Sequence, residues 1–174
     1  MSFKTVLVLS IILGVMACKT NQKNLENVES VSESTTICPE DGNCTFEIFN
    51  NSSLEIKKDG IDALYPEVKE GDHKVLKFEY KRTQDPRIAD DGYREVIYLE
   101  ISSNTKNLHL EDQDLKQAKV FFGRLCFCGD QAGYFPVEKG RLKVSTNKDK
   151  TVSYSLDFEI SKVPQKIKSF SITK

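Results

Sequence analysis

From residue 38 to residue 174 apolar and polar side chains alternate with a period of two, the pattern of strands with one buried and one solvated face. The clearest run is Val152, Tyr154, Leu156, Phe158 and Ile160, separated by Ser153, Ser155, Asp157 and Glu159. Leu76, Phe78 and Tyr80 alternate with Lys77, Glu79 and Lys81, and Leu142 and Val144 with Arg141, Lys143 and Ser145. Shorter runs are Phe46/Ile48, Leu54/Ile56 and Phe170/Ile172. Residues 93–102 and 120–128 are apolar on both faces and so read as central strands. Asn50-Asn51-Ser52, Asp59-Gly60, Glu70-Gly71-Asp72, Asp91-Gly92, Lys139-Gly140 and Asn147-Lys148-Asp149 read as connections. One short helix is expected over 111–119, with Asp112 or Asp114 near its positive end and Leu115 and Ala118 turned inward. Roughly eight strands at this spacing predict a mainly all-β fold, a single antiparallel β-sandwich or partly open barrel. There is no internal repeat, heptad pattern or βαβ rhythm.

The first 37 residues follow other rules. Lys4 is followed by an apolar stretch, residues 5–17, that suits a signal peptide and is short of the ~20 residues a membrane-spanning helix needs. Val15-Met16-Ala17-Cys18 resembles a bacterial lipobox, in which the Cys is acylated and becomes the new N-terminus; an ordinary cleavage after Ala17 is the alternative. Residues 18–37 carry much Asn, Ser, Thr, Glu and Lys and few apolar side chains, which predicts a flexible tether. Leu25, Val28 and Val31 also allow a weak amphipathic helix there. The expected organisation is therefore a signal peptide over 1–17, a lipidated Cys18 and tether over 18–37, and a β-rich domain over 38–174.

The chain has five Cys in 174 residues. An acylated Cys18 leaves Cys38, Cys44, Cys126 and Cys128, an even set suited to disulfides in an oxidising compartment. Three connectivities exist. Cys38–Cys44 closes a turn-rich loop, whereas Cys126 and Cys128 in an extended strand would sit about 6.5–7 Å apart and need a bend to pair. The preferred expectation is two crosslinks between the 38/44 and 126/128 regions, each worth ~4 kcal/mol on the chain-entropy model. A four-thiolate metal site would need tetrahedral convergence, and Cys-x₅-Cys is an uncommon spacing for it, so no metal and no cofactor is expected.

Charge narrows the function. With 25 basic and 26 acidic side chains the net charge is -1, which argues against a nucleic-acid binder. His73 and His109 belong to no ligand motif, and no nucleophile elbow, phosphate loop or dinucleotide fingerprint is present. Acids cluster at Asp90, Asp91 and Glu95 and at Glu111, Asp112 and Asp114, without a calcium-loop framework. A hydrolase using Asp91, Glu95 or Asp112 is one alternative, and a metal or redox protein using the four body cysteines another. Residues 129–136 form a Gly- and Pro-containing loop in which Asp130, Gln131, Tyr134 and Phe135 are candidates for contact with a partner. The plainer alternative is that Tyr134 and Phe135 cover the open end of the core.

On Val15–Cys18, the polar tether and the Cys-containing β body, the chain resembles the small lipobox-bearing envelope lipoproteins of the Bacteroidota. The resemblance implies attachment to a lipid membrane through acylated Cys18. Because Lys19 to Lys23 precede the first acid, Glu26, it also implies an outer-membrane position facing the periplasm. The expected function is a membrane-anchored envelope lipoprotein whose β domain is structural or binds an envelope protein or small ligand.

Overall fold

The computed structural model describes residues 28–31 and 38–174. The expected signal peptide, Cys18 and most of the expected tether lie outside the described residues. The chain forms two antiparallel sheets packed face to face. The larger contains β1 (Val28–Val31), β2 (Gly42–Lys58), β3 (Leu64–Glu70), β4 (His73–Arg82), β5 (Tyr93–Ser102), β7 (Phe121–Cys126) and β8 (Gly133–Pro136). The smaller runs in the order β11 (Ser169–Thr173), β10 (Val152–Glu159), β9 (Lys139–Thr146), β6 (Asn107–Glu111). Two 3₁₀ turns, η1 (Asp112–Ala118) and η2 (Gly129–Gln131), connect strands.

The period-two runs fold as expected. Tyr154, Leu156 and Phe158 are buried while Asp157 and Glu159 face solvent. Phe78 of β4 stacks on Phe170 of β11 at 5.0 Å, Phe46 of β2 meets Tyr154 of β10 at 5.8 Å, and Phe122 of β7 meets Phe158 at 5.7 Å. These aromatic contacts join the two sheets. β5 lies between β4 and β7 and is buried on both sides, with Ile97 and Leu99 in the main core and Val96 on the opposite face.

Eleven strands form among the described residues, where about eight were expected. Phe46/Ile48 and Leu54/Ile56 belong to one strand, β2, which pairs with β4 up to Phe49 and again at Ser52, opposite His73, and with β3 from Ser52 to Lys58. The Asn50-Asn51-Ser52 signal is thus a bulge and not a connection. Asn51 takes a left-handed φ of 50°, which Asn accommodates better than most residues, and the register slips there. Lys139-Gly140 is likewise strand rather than turn. Gly140 has φ 145°, and a Cβ there would lie 2.2 Å from the Asp157 carbonyl oxygen. The strands without a strong sequence signal are short. β3 carries Pro66, which is tolerated because only β2 pairs with it. β1 falls within the expected tether and pairs with residues 46–49 of β2, as strand and not helix. The expected helix is η1, with Leu115 and Ala118 buried and Lys119 closing it at φ 43°.

Bending of β2 curls the larger sheet until β3 lies beside β8, so the fold combines a sandwich with a partly closed barrel. Glu100 of β5, 8% exposed, holds the bend. Its Oε2 accepts from the Leu54 N–H at 2.6 Å and the Ser53 hydroxyl at 3.1 Å, and its Oε1 pairs with Lys119 Nζ at 2.8 Å. Lys119 also donates to the Leu54 carbonyl at 3.0 Å. Burial alone would push the Glu100 carboxyl up, but Lys119, the Leu54 N–H and Ser53 outweigh it and hold the group below its ordinary range.

Both disulfides are local. Cys38 pairs with Cys44 and Cys126 with Cys128, with Cα separations of 5.8 and 5.3 Å. This overturns the expected long-range crosslinks. The strand ends at Cys126, and the turn to Cys128 (φ -134°, ψ 27°) shortens the extended-strand separation enough for the neighbours to bond. Loops of this size contribute about 2 kcal/mol each on the entropy model, half of what the long-range crosslinks would supply.

Because the Glu100 carboxyl is depressed in the folded chain, its contribution is fully present above the unfolded carboxylate value of about 4.3 and is lost as pH falls through the lower folded value. Glu100→Gln is expected to destabilise the protein by roughly 1–3 kcal/mol at pH 7, with the difference from wild type shrinking below about pH 4. Urea unfolding across that range measures it.

Candidate partner-contact end

Strand register places both disulfides at one end of the larger sheet. Cys44 lies opposite Tyr80, Tyr80 opposite Glu95, and Glu95 opposite Arg124. One step further out, Gly42 lies opposite Arg82 and Tyr93 opposite Cys126. Paired residues share a face, so Tyr80, Glu95 and Arg124 point to the side that carries the main core.

Here the apolar core gives way to cations stacked on aromatic rings. Tyr80 and Tyr93 meet edge to face at 6.3 Å. Arg82 and Arg124 lie 5.5 and 5.4 Å from the Tyr93 ring centre, and Lys166 Nζ lies 5.8 Å from that of Tyr80. Asp41, in the loop closed by Cys38–Cys44, accepts from the Tyr80 hydroxyl at 2.7 Å and from Lys166. Lys166, then Tyr80, hold the Asp41 carboxyl below the usual range, and Asp41 in turn raises Lys166. Burial, followed by the neighbouring carboxylates Asp41 and Glu95, pushes the Tyr80 and Tyr93 phenols up. Both phenols therefore stay protonated at neutral pH and act as donors.

Glu95 is fully buried and accepts from the Tyr93 hydroxyl at 2.5 Å and from the backbone N–H groups of Lys166 and Ile167, both at 2.7 Å. It thereby pins the segment that carries Val163 and Ile167 into the core. Asp91 binds Arg82 and the Asp85 N–H, and Asp112 accepts from the Gly140 N–H at 3.0 Å. Asp91 and Glu95 are thus linked through Arg82 and Tyr93 in one structural cluster, while Asp112 serves a separate backbone contact. His73 and His109 form surface pairs with Asp72 and Glu111, at 2.6 and 3.1 Å. Among the described residues no group of three or more His, Cys, Asp or Glu could hold a metal ion.

Past β7 the chain makes its most exposed apolar feature. Cys126–Cys128 folds the strand end back, and Phe127 between them is 87% exposed. Arg124 braces the turn from beneath. Its Nη1 lies 3.0 Å from Cys128 Sγ and 3.2 Å from both the backbone oxygen and the side-chain Oε1 of Gln131. η2 then returns the chain along β7 as β8, so residues 129–136 form a tight hairpin arm instead of an irregular loop. Asp130 and Gln131 are exposed at its tip. Phe135 is half-buried and packs against the core. Tyr134, also half-buried, covers Gly123, where a Cβ would meet its ring at 2.4 Å, and lies 6.4 Å from the Tyr98 ring.

The exposed aromatic of this end is therefore Phe127, which the sequence reading passed over. Its signal was present: one apolar residue between two cysteines that share the opposite strand face. Ile88, 57% exposed in the adjacent β4–β5 connection, adds a second apolar side chain at the same end. The loop carrying it is braced by Asp85, which binds the Arg87 guanidinium and backbone N–H.

Glu95→Ala is expected to cost about 2–4 kcal/mol, because it removes the acceptor of two backbone N–H groups, that of Ile167 buried and that of Lys166 partly buried, and opens a cavity. Urea unfolding measures the loss, and faster amide exchange at residues 166 and 167 locates it. No protein-family model, curated protein or solved structure matches the chain.

Proposed function

We propose that this chain is an envelope lipoprotein, held on a membrane by acylated Cys18, whose β domain is a non-enzymatic binding module. The observation that carries the binding reading is Phe127. It is a large apolar side chain held almost wholly in solvent on a disulfide-closed turn, at the end of a core-packed strand. Holding a Phe there forgoes the favourable burial of roughly 2–3 kcal/mol that such a side chain gains inside a core. An aromatic anchor prearranged in this way loses little conformational entropy when a partner pocket takes it up. Ile88, in the connection at the same end of the sheet, is a second exposed apolar side chain, and Asp130 and Gln131, three and four residues on from Phe127, supply exposed polar groups. The partner is an envelope protein presenting an apolar pocket.

The anchor reading rests on Val15-Met16-Ala17-Cys18. It is supported by cysteine parity: the four body cysteines pair with one another, which leaves Cys18 as the odd one. Among the described residues no helix is long and apolar enough to cross a membrane.

Phe127→Ala is expected to leave urea stability within about 0.5 kcal/mol of wild type while abolishing capture of the envelope protein that co-purifies with the wild-type chain. Retained capture would refute the contact surface. Cys18→Ala is expected to move the protein from the membrane to the soluble fraction of lysed cells, and continued membrane retention would refute the anchor.

A further inference from the structure

We infer that the Cys126–Cys128 pair is a thiol–disulfide exchange centre, with Cys128 as the sulfur that meets the substrate and a polypeptide dithiol as the substrate class. This goes beyond the binding reading and does not depend on it.

The two sulfurs are not equivalent. Cys126 is paired in β7 opposite Tyr93 and packs against the core. Cys128 lies beyond the strand, at the entrance to the exposed turn Gly129–Gln131. Arg124 Nη1 sits 3.0 Å from Cys128 Sγ. A guanidinium in that position stabilises a thiolate, which makes Cys128 both a better leaving group and a more abundant nucleophile. Opening this disulfide frees a link between residues only two apart and leaves the β5–β7 register in place. Phe127, between the two cysteines, presents apolar surface to an incompletely folded chain. The Cys38–Cys44 pair differs on each count. Both of its cysteines pack against the core, and Cys38 Sγ faces the Gly42 carbonyl oxygen at 4.0 Å, a group that disfavours a thiolate.

Exchange from the disulfide form proceeds in two displacements. A substrate thiolate attacks Cys128 Sγ, the Cys126–Cys128 bond breaks, and the Cys126 thiolate takes up a proton. The second substrate thiolate then attacks the substrate sulfur of the mixed disulfide and releases the Cys128 thiolate beside Arg124. The substrate dithiol loses two electrons and two protons to become a disulfide, and the Cys126/Cys128 pair gains both and becomes a dithiol. The reverse sequence reduces a substrate disulfide.

The test uses the full chain under native conditions with reduced glutathione, followed by alkylation and mass mapping of each pair. Cys126–Cys128 is expected to open at least ten-fold faster than Cys38–Cys44, and Arg124→Gln to slow the release of the Cys128 thiol from its glutathione mixed disulfide five-fold or more, with partial recovery in Arg124→Lys. In Cys126→Ser, oxidised glutathione is expected to form its mixed disulfide on Cys128. One equivalent of wild-type chain is expected to convert one equivalent of a synthetic peptide dithiol to its disulfide. Equal opening rates for the two pairs, an unreactive Cys128 in Cys126→Ser, or a peptide dithiol left reduced would overturn the inference. These three readouts leave Arg124 intact, so they decide the question even if the Arg124 variants fail to fold. Loss of partner capture in Phe127→Ala would not move any of them.

Discussion

The architecture turns on the need to satisfy two carboxylates buried on opposite faces of one central strand. β5 carries Glu95 toward the main core and Glu100 away from it, and both are shielded from water. A buried carboxylate without donors costs several kcal/mol, so the chain must bring donors to each. In both cases the donors include backbone N–H groups from a segment that is not a ladder partner of β5 at that point. Leu54 supplies one to Glu100, and Lys166 and Ile167 supply two to Glu95. Two requirements within six residues of one strand thereby position two distant parts of the chain.

Each requirement sets one of the features that separate this molecule from a plain sandwich. Meeting Glu100 draws the second half of β2 across the far face of the larger sheet, and Asn51 absorbs the change of direction. That turns an open sheet into one whose outer strands, β3 and β8, come side by side. On the same far face Lys77 is half-buried between Glu47 and Glu79, at 3.1 and 2.9 Å. Burial would lower Lys77, but the two carboxylates outweigh it and keep the ammonium group charged. Meeting Glu95 fixes the segment before β11 over the end of the core, beside Tyr80, Tyr93 and Arg124. The disulfide-bearing end is therefore tied to the β11-side segment by a buried, hydrogen-bonded carboxyl group beneath it.

How much of this was legible in the sequence follows from the range of the interactions concerned. Period-two alternation is local, so β4, β5, β9, β10 and β11 and the burial of Leu115 and Ala118 could be read directly. Asn51 and Gly140 could be seen as special, but whether a left-handed or crowded position ends a strand or bends it depends on the neighbouring strand, here β3 or β10. Glu95 could be placed in the 93–102 strand and grouped with Asp90 and Asp91, but its role as a buried acceptor was not legible, because its two backbone donors lie more than 70 residues away. The cysteine pairing failed for a different reason. Extended geometry was assumed through Cys128, whereas pairing ends at Cys126 and the backbone turns. That same turn is what leaves Phe127 in solvent, so one local misjudgement of geometry hid both the correct disulfides and the exposed aromatic.

The local pairing also changes what the disulfides are for. Crosslinks between the 38/44 and 126/128 regions would have made the oxidised state a condition of the fold. With separations of six and two residues, neither bond joins one sheet to the other, and the core between the sheets rests instead on contacts such as Phe78–Phe170 and Phe122–Phe158. Small loops contribute little to the stability of the whole, so selection on the fold alone gives Cys126–Cys128 only modest weight. Its immediate effects are local: it bends the end of β7, lifts Phe127 into solvent and sets Cys128 against Arg124. A bond that shapes the proposed contact tip while contributing little elsewhere can open and close without unfolding the domain, which is the condition for such a tip to be responsive to its redox surroundings.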